Sequence, residues 1–241
     1  MPETPPSHDQ THPDGCAVVL GSTGGIGSAI LSRLEAGGTY RHVIGLARST
    51  TPHLDLTDEA SIAGCASHVA SLGEPLRLLV VATGMLHEGD RRPERSLRDL
   101  SPEFMARSFA VNAIGPALVL KHFTPLLPRE GRSVVAILSA RVGSIGDNHL
   151  GGWHAYRASK AALNQVIRTA SIELKRTRPH TICVALHPGT VDTPLSAPFA
   201  KNGLDVRSPA VAANELLRVI AALIPEQSGT FLDHRGLAIP W

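Results

Sequence analysis

The apolar run Ala17-Val18-Val19-Leu20 passes directly into Gly21-Ser22-Thr23-Gly24-Gly25-Ile26-Gly27, which opens a stretch of apolar helical periodicity. A strand, a glycine-rich turn and a helix in that order set the pattern for the rest of the chain. From Gly15 onward, short β-branched runs alternate with longer helical patterns, which implies parallel strands joined by helical crossovers. Strands are expected over 17–20, 42–47, 53–55, 77–82, 133–138, 181–187 and 229–232. Helices are expected over 26–36, 58–72, 101–127, 153–176 and 209–223. Ser101-Pro102-Glu103 reads as an N-cap, a first-turn proline and an acidic first turn, and Ser208-Pro209 repeats the cap and the proline. Gly37-Gly38 closes the first helix as a C-cap. The fold class is therefore α/β: a doubly wound parallel sheet of about seven strands with helices on both faces, in a single domain over 15–241. Its ligand crevice should lie at the carboxyl ends of the strands. Residues 1–14 hold four prolines and no aliphatic side chain except Met1, so they are expected to form a disordered tail.

Composition narrows the function classes. The formal net charge of the 241 residues is only +2, with the basic residues scattered, so no large field steers the chain to nucleic acid or to an anionic membrane. No apolar run approaches the roughly 20 residues needed to span a bilayer, and the start lacks the basic and apolar blocks of a signal peptide. Cys16, Cys65 and Cys183 form no CxxC pair, which argues for a reducing compartment. A cytoplasmic protein is expected.

A turn from strand to helix lets backbone N–H groups face a phosphate, and the helix dipole favours its charge. Gly21, Ser22, Thr23, Gly25, Ile26 and Gly27 are thus candidates to hold a dinucleotide pyrophosphate. The glycines are spaced three-then-one, unlike the two-glycine opening of the usual dehydrogenase fingerprint. An NAD site offers a carboxylate to the ribose 2′-hydroxyl at the end of the second strand. This chain has Ala47-Arg48 there. A guanidinium would bind a 2′-phosphate with two hydrogen bonds, so NADP (NADPH) is favoured over NAD. Asp55, with Leu56, could meet the adenine edge; a helix-capping role for Asp55 is equally open.

Tyr156 and Lys160 stand four residues apart in Tyr156-Arg157-Ala158-Ser159-Lys160 and so share one helix face. A phenol is a poor acid at neutral pH, with a pKa of about 10. An ammonium about 6 Å away, at an effective dielectric of about 20, favours phenolate by roughly 3 kcal/mol, or about two pKa units. Lys160 can supply that charge and still reach a ribose hydroxyl. Asn112 lies mid-helix, and Pro116 removes the hydrogen bond to its carbonyl. A freed carbonyl can hold a water linking Lys160 to solvent. After the sixth expected strand, His187-Pro188-Gly189-Thr190-Val191-Asp192-Thr193 could bond a nicotinamide carboxamide, and the small-residue segment from Thr193 to about Val206 reads as a substrate lid.

Together these residues resemble the short-chain dehydrogenase/reductase family over about 15–241. Gly143-Ser144-Ile145-Gly146-Asp147-Asn148 followed by Gly151-Gly152-Trp153 looks like its C-factor and Sniffer-type carbonyl reductase branch. The resemblance implies a Rossmann fold, Tyr156 as acid/base, Lys160 on the ribose and the tyrosine, and Asn112 on the relay water. It implies cofactor contacts at Thr83, Gly84, Pro188, Gly189, Val191 and Thr193, and a homo-oligomer, dimer or tetramer, built on the tyrosine helix. The family usually has Asn-Asn-Ala-Gly after the fourth strand, where this chain has Val81-Ala82-Thr83-Gly84. Its substrate-orienting serine usually sits three residues before a glycine; counting back from Gly143 gives Ala140, leaving Ser139 first and Ser144 second as replacements. The reading is an NADPH-dependent reductase of a small-molecule carbonyl substrate, a ketone or aldehyde, with Val142, Ile145, Trp153, Leu195 and Phe199 roofing the pocket. The alternative is a non-catalytic NADP(H)-binding protein in signalling or regulation.

Overall fold

The computed structural model describes residues 15–199 and 206–241. The expected tail over 1–14, and positions 200–205 of the expected lid, lie outside the described residues. The chain runs β1 (Cys16–Leu20), α1 (Gly25–Gly37), β2 (His42–Leu46), α2 (Glu59–Ala70), β3 (Leu76–Val81), α3 (Pro102–Phe109), α4 (Gly115–Phe123), β4 (Ser133–Leu138), α5 (His154–Thr177), β5 (Thr181–His187), β6 (Thr190–Val191), β7 (Val206–Arg207), α6 (Pro209–Ala222) and β8 (Phe231–Asp233). The main sheet has the order β2-β1-β3-β4-β5-β8, with every pairing parallel. β6 and β7 make a separate short pair.

Strands buried on both faces need no alternation of polar residues, and the core shows why these strands read as continuous apolar runs. Val18 and Leu20 join one cluster with Ile62, Val69, Val119, Phe123, Leu163 and Ile167, so α2, α4 and α5 cover that face. Ala17 and Val19, one residue out of step, join Ile30, Leu34, Leu216 and Ile220 beneath α1 and α6. Ser101 Oγ accepts the N–H of Phe104 and Ser208 Oγ that of Val211, each at 3.3 Å, while Gly38 closes α1 in the left-handed region at φ 61°. No described helix is long and apolar enough to cross a membrane.

Three expectations are corrected. The main sheet has six strands among the described residues, not seven, because 53–55 is not a strand. Its amides are satisfied outside any ladder: Leu54 N–H donates to the Ala47 carbonyl (3.0 Å) and Asp55 N–H to Ser61 Oγ (2.7 Å). The last strand begins at Phe231 rather than 229. The single helix expected over 101–127 is broken, since a π-helical turn (Ala110–Ile114) separates α3 from α4. Pro116 has no N–H to give, and Gly115 N–H reaches back five residues to the Ala110 carbonyl. A Cβ on Gly115 would lie 2.7 Å from the Leu56 carbonyl oxygen, so only glycine lets the Asp55-Leu56 loop seat against α4.

Candidate active site and dinucleotide cleft

A cavity of about 510 Å³ opens at the carboxyl ends of β1, β2 and β3. Gly21, Thr23 and Gly24 form its floor, Arg48, Asp55 and Leu56 one wall, and Thr83 and Gly84 the other. The turn is tight. Gly21 sits at φ 85°, and a Cβ on Gly27 would lie 2.1 Å from the Gly21 carbonyl oxygen. The N-cap of α1 is Gly24, which makes no side-chain cap bond, so the first N–H groups of the helix are open to an anion. The side chains of Ser22 and Ile26, and the missing one of Gly25, serve packing. Ser22 is buried against Gly45, Ile26 leans on the α1/α6 core, and a Cβ on Gly25 would meet Thr193 Cγ2 at 2.7 Å.

The Asp55 carboxylate accepts the N–H and the hydroxyl of Thr57, both at 2.8 Å, and these bonds hold it below the usual carboxylate range. Asp55 caps no helix: Asp58 caps α2 by accepting the Ala60 N–H at 2.9 Å. Thr83 Oγ1 is buried without a hydrogen-bond partner. Open helix N–H groups, an unpartnered hydroxyl, a carboxylate and an exposed guanidinium around one cavity fit a phosphorylated dinucleotide.

Tyr156 and Lys160 stand one turn apart on α5, both more than nine-tenths buried, with Lys160 Nζ 6.0 Å from the phenol ring centre. Nζ donates to the Leu138 carbonyl at 2.9 Å. A Cβ on Gly84 would stand 3.6 Å from both Lys160 Nζ and Asn112 Oδ1, so these two meet behind Gly84, which lines the cavity; Tyr156, Lys160 and Asn112 are themselves buried and not among its lining residues. Asn112 Oδ1 accepts the Met85 N–H (2.8 Å), while Nδ2 donates to the Met85 carbonyl (2.8 Å) and to Ser159 Oγ (3.0 Å). The Asn112 side chain thereby ties the loop after β3 to α5.

The electrostatics run against the sequence expectation. Burial pushes the Tyr156 phenol well above its usual range and pulls Lys160 down to about 8. At 6.0 Å, with the ammonium already bonded to a carbonyl, desolvation outweighs attraction between the pair. The phenol therefore stays protonated at neutral pH, the state a proton donor needs.

The family described as enoyl-(acyl carrier protein) reductase matches residues 25–222. The chain belongs to the short-chain dehydrogenase/reductase family. It is 40% identical over 148 residues to C-signal of Myxococcus xanthus, covering 61% of this chain and 84% of that one. It is 31% identical over 190 residues to 1-hydroxy-2-glutathionyl-2-methyl-3-butene dehydrogenase of Rhodococcus sp. (strain AD45), covering 79% of each. Among solved structures it resembles an NADPH-bound carbonyl reductase from chicken fatty liver, with a TM-score of 0.81 and 26% identity over 95% of this chain and 100% of that one.

This short-chain dehydrogenase/reductase departs from expectation around β4. Ser139 Oγ donates to Asn164 Oδ1 at 2.6 Å, and Ser144 Oγ donates to the Pro240 carbonyl at 2.5 Å. Both serines are buried, and neither lines the cavity. Ala140, half-buried, occupies the position between Ser139 and the Arg141–Gly143 turn. Val142 and Ile145 do not roof the main cavity either. They line a separate depression of about 430 Å³ with Arg157 on the far side of α5. Leu195 does line the main cavity. Trp153 packs edge-on to Tyr156 (6.3 Å) and to Phe199 (5.3 Å), which brings the lid segment over the tyrosine. Gly189 lies beside His234 and Arg207, and Val191 is buried in β6. Pro188 and Thr193 do not line the cavity.

Sequence reasoning missed Met85, His87, Arg107 and Val111 in the cavity lining. His87 Nε2 lies 3.2 Å from the Pro194 carbonyl and its ring 5.8 Å from Phe199, joining the loop after β3 to the lid segment. No motif marks His87. Val111, next to Asn112 in the π-helical turn, was within reach of the same reasoning that found Asn112.

Proposed function

We propose that this oxidoreductase reduces a small-molecule ketone or aldehyde with NADPH. The observation that carries the reading is the meeting of Lys160 Nζ and Asn112 Oδ1 behind Gly84, which lines the cavity floored by the glycine turn. When bound, NADPH supplies a hydride to a carbonyl carbon. Tyr156 gives its proton to the carbonyl oxygen, and its raised pKa keeps that proton in place until then. Lys160, titrating near neutrality, holds the cofactor ribose and returns the proton through a water on the Asn112 main-chain carbonyl. Arg48 at the cavity wall takes the 2′-phosphate, and Asp55 the adenine edge. The NADPH named with the chicken carbonyl reductase supports the cofactor choice.

Paired NADPH and NADH binding titrations, followed by a carbonyl panel with the preferred cofactor, test this. NADPH should bind at least about tenfold tighter, as a charge-assisted pair to a phosphate implies, and at least one ketone or aldehyde should be reduced. Equal affinities would remove Arg48 from its role. NADPH binding without oxidation across the panel would favour the second reading, a non-catalytic NADP(H)-binding regulator. Ala140 and the two engaged serines motivate that alternative, together with the resemblance to C-signal.

A further inference from the structure

Glu94 is a carboxylate almost without access to water, at 3% exposure, in the segment between β3 and α3. It meets the first turn of α5 twice. Its Oε2 accepts the Ala155 N–H at 3.2 Å, and its main-chain carbonyl accepts the Trp153 N–H at 2.6 Å. Oε1 is buried without a hydrogen-bond partner. Helices α2, α3 and α6 take their N-terminal caps from Asp58, Ser101 and Ser208, the residues just before them. The N-cap residue of α5, Trp153, makes no side-chain cap bond, and the acceptor comes instead from 61 residues away. A carboxylate there is favoured by the open N–H groups and the positive end of the helix dipole.

The two residues it holds flank the chemistry. Trp153, at φ 52°, is the one non-glycine residue with positive φ among the described residues, a conformation bulky side chains disfavour. It persists only if neighbours hold it. Its indole is the edge-on neighbour of Tyr156 and Phe199, and Ala155 immediately precedes Tyr156.

We propose that Glu94 is a positioning residue for Tyr156. By gripping Ala155 and the left-handed turn at Trp153, it sets the direction of the phenol and stands the indole beside it as the wall of the substrate site. This rests on Tyr156 being the proton donor.

The experiment uses a Trp241→Phe background, in which Trp153 is the sole tryptophan, with Glu94→Gln, Glu94→Asp and Glu94→Ala added. Each is assayed for kcat, KM, NADPH affinity, melting temperature and tryptophan emission. Glu94→Gln keeps an acceptor and should keep kcat within about threefold and emission unchanged, whereas Glu94→Ala should lower kcat by about tenfold or more with NADPH affinity within about twofold, since misplacing a reacting group costs rate rather than cofactor binding. In Glu94→Ala the Trp153 emission should shift to the red and become open to acrylamide quenching. Glu94→Asp, drawn back by one methylene, should fall between. A Glu94→Ala protein that melts lower but keeps the parent kcat and Trp153 emission would overturn the proposal, leaving Glu94 a cap and nothing more. Should Glu94→Ala fail to fold, parent kcat and emission in Glu94→Asp would overturn it in the same way. If the parent reduces no carbonyl, the reductase reading fails by itself, and Trp153 emission still decides whether Glu94 sets this turn.

Discussion

Around Gly21 the cleft is shaped by backbone approaching backbone, within the turn and against the ends of β2 and β3, whereas around Tyr156 it is assembled through side-chain hydrogen bonds from across the chain. Gly24 N–H bonds the Gly21 carbonyl at 3.0 Å, and Gly27 presses on that same oxygen from within the next helical turn. By contrast, Ser139 is fixed by Asn164, Asn112 by Met85, Ser144 by Pro240 and Ala155 by Glu94. The first half is shaped by backbone, and its tightest requirement is that side chains be missing at Gly21, Gly25 and Gly27. The second half is shaped by side-chain hydrogen bonds in a dry interior, where each donor or acceptor left over costs stability. A floor made the first way is intolerant of side chains added at those three glycines. A phenol aimed the second way depends on partners remote from it.

The largest effect that could break this contrast is at the phenol. Tyr156→Phe should cut carbonyl reduction by about a thousandfold, the scale of a lost general acid, with NADPH affinity kept within about twofold; substantial residual turnover would remove Tyr156 as the acid. Next comes the cofactor wall: Arg48→Ala should weaken NADPH binding by about ten- to a hundredfold and leave NADH almost untouched, because only the phosphate contact is charge-assisted. Competitive titration reads this directly, and equal weakening of both cofactors would count against the assignment.

Smaller is the change at Ser139. Its hydroxyl serves Asn164, so Ser139→Ala should cost about 1–2 kcal/mol of stability in urea unfolding, and kcat should fall far less than in Tyr156→Phe. A fall of similar size would make Ser139 a catalytic residue after all.

The smallest effect is in pH. Lys160 titrates at about 8 when folded, below its ordinary 10.5, so the unfolded chain binds more protons between those values and stability rises with pH across that window. From about pH 7 to 8.5 the gain should be under about 1 kcal/mol, and Lys160→Met should flatten it. An unchanged slope in that variant would assign the titration to another group.

Legibility in the sequence followed the same divide. The parallel sheet, the glycine turn, the caps at Ser101 and Ser208 and the pairing of Tyr156 with Lys160 all rest on local spacing, and each stands where the spacing put it. The strand expected at 53–55 failed because apolar content alone could not reveal that Leu54 and Asp55 find their partners in Ala47 and Ser61. The π-helical turn was half legible: Pro116 announced a lost hydrogen bond but not the five-residue register that replaced it. The engagement of the two serines was not legible, since counting from Gly143 fixes position along the chain and not the partner a hydroxyl finds: Asn164 for Ser139 and the Pro240 carbonyl for Ser144. The lowered phenol pKa expected from Lys160 failed because burial is a property of the fold, and here it decides the sign.

The contact between Ser144 and Pro240 spans 96 residues, and the Gly146 N–H bonds the Trp241 carbonyl beside it. During synthesis the bend after β4 leaves the ribosome well before the stretch that clasps it. Nascent protein emerging in order would therefore hold the bend beside the tyrosine helix without its clasp until residues 240 and 241 follow.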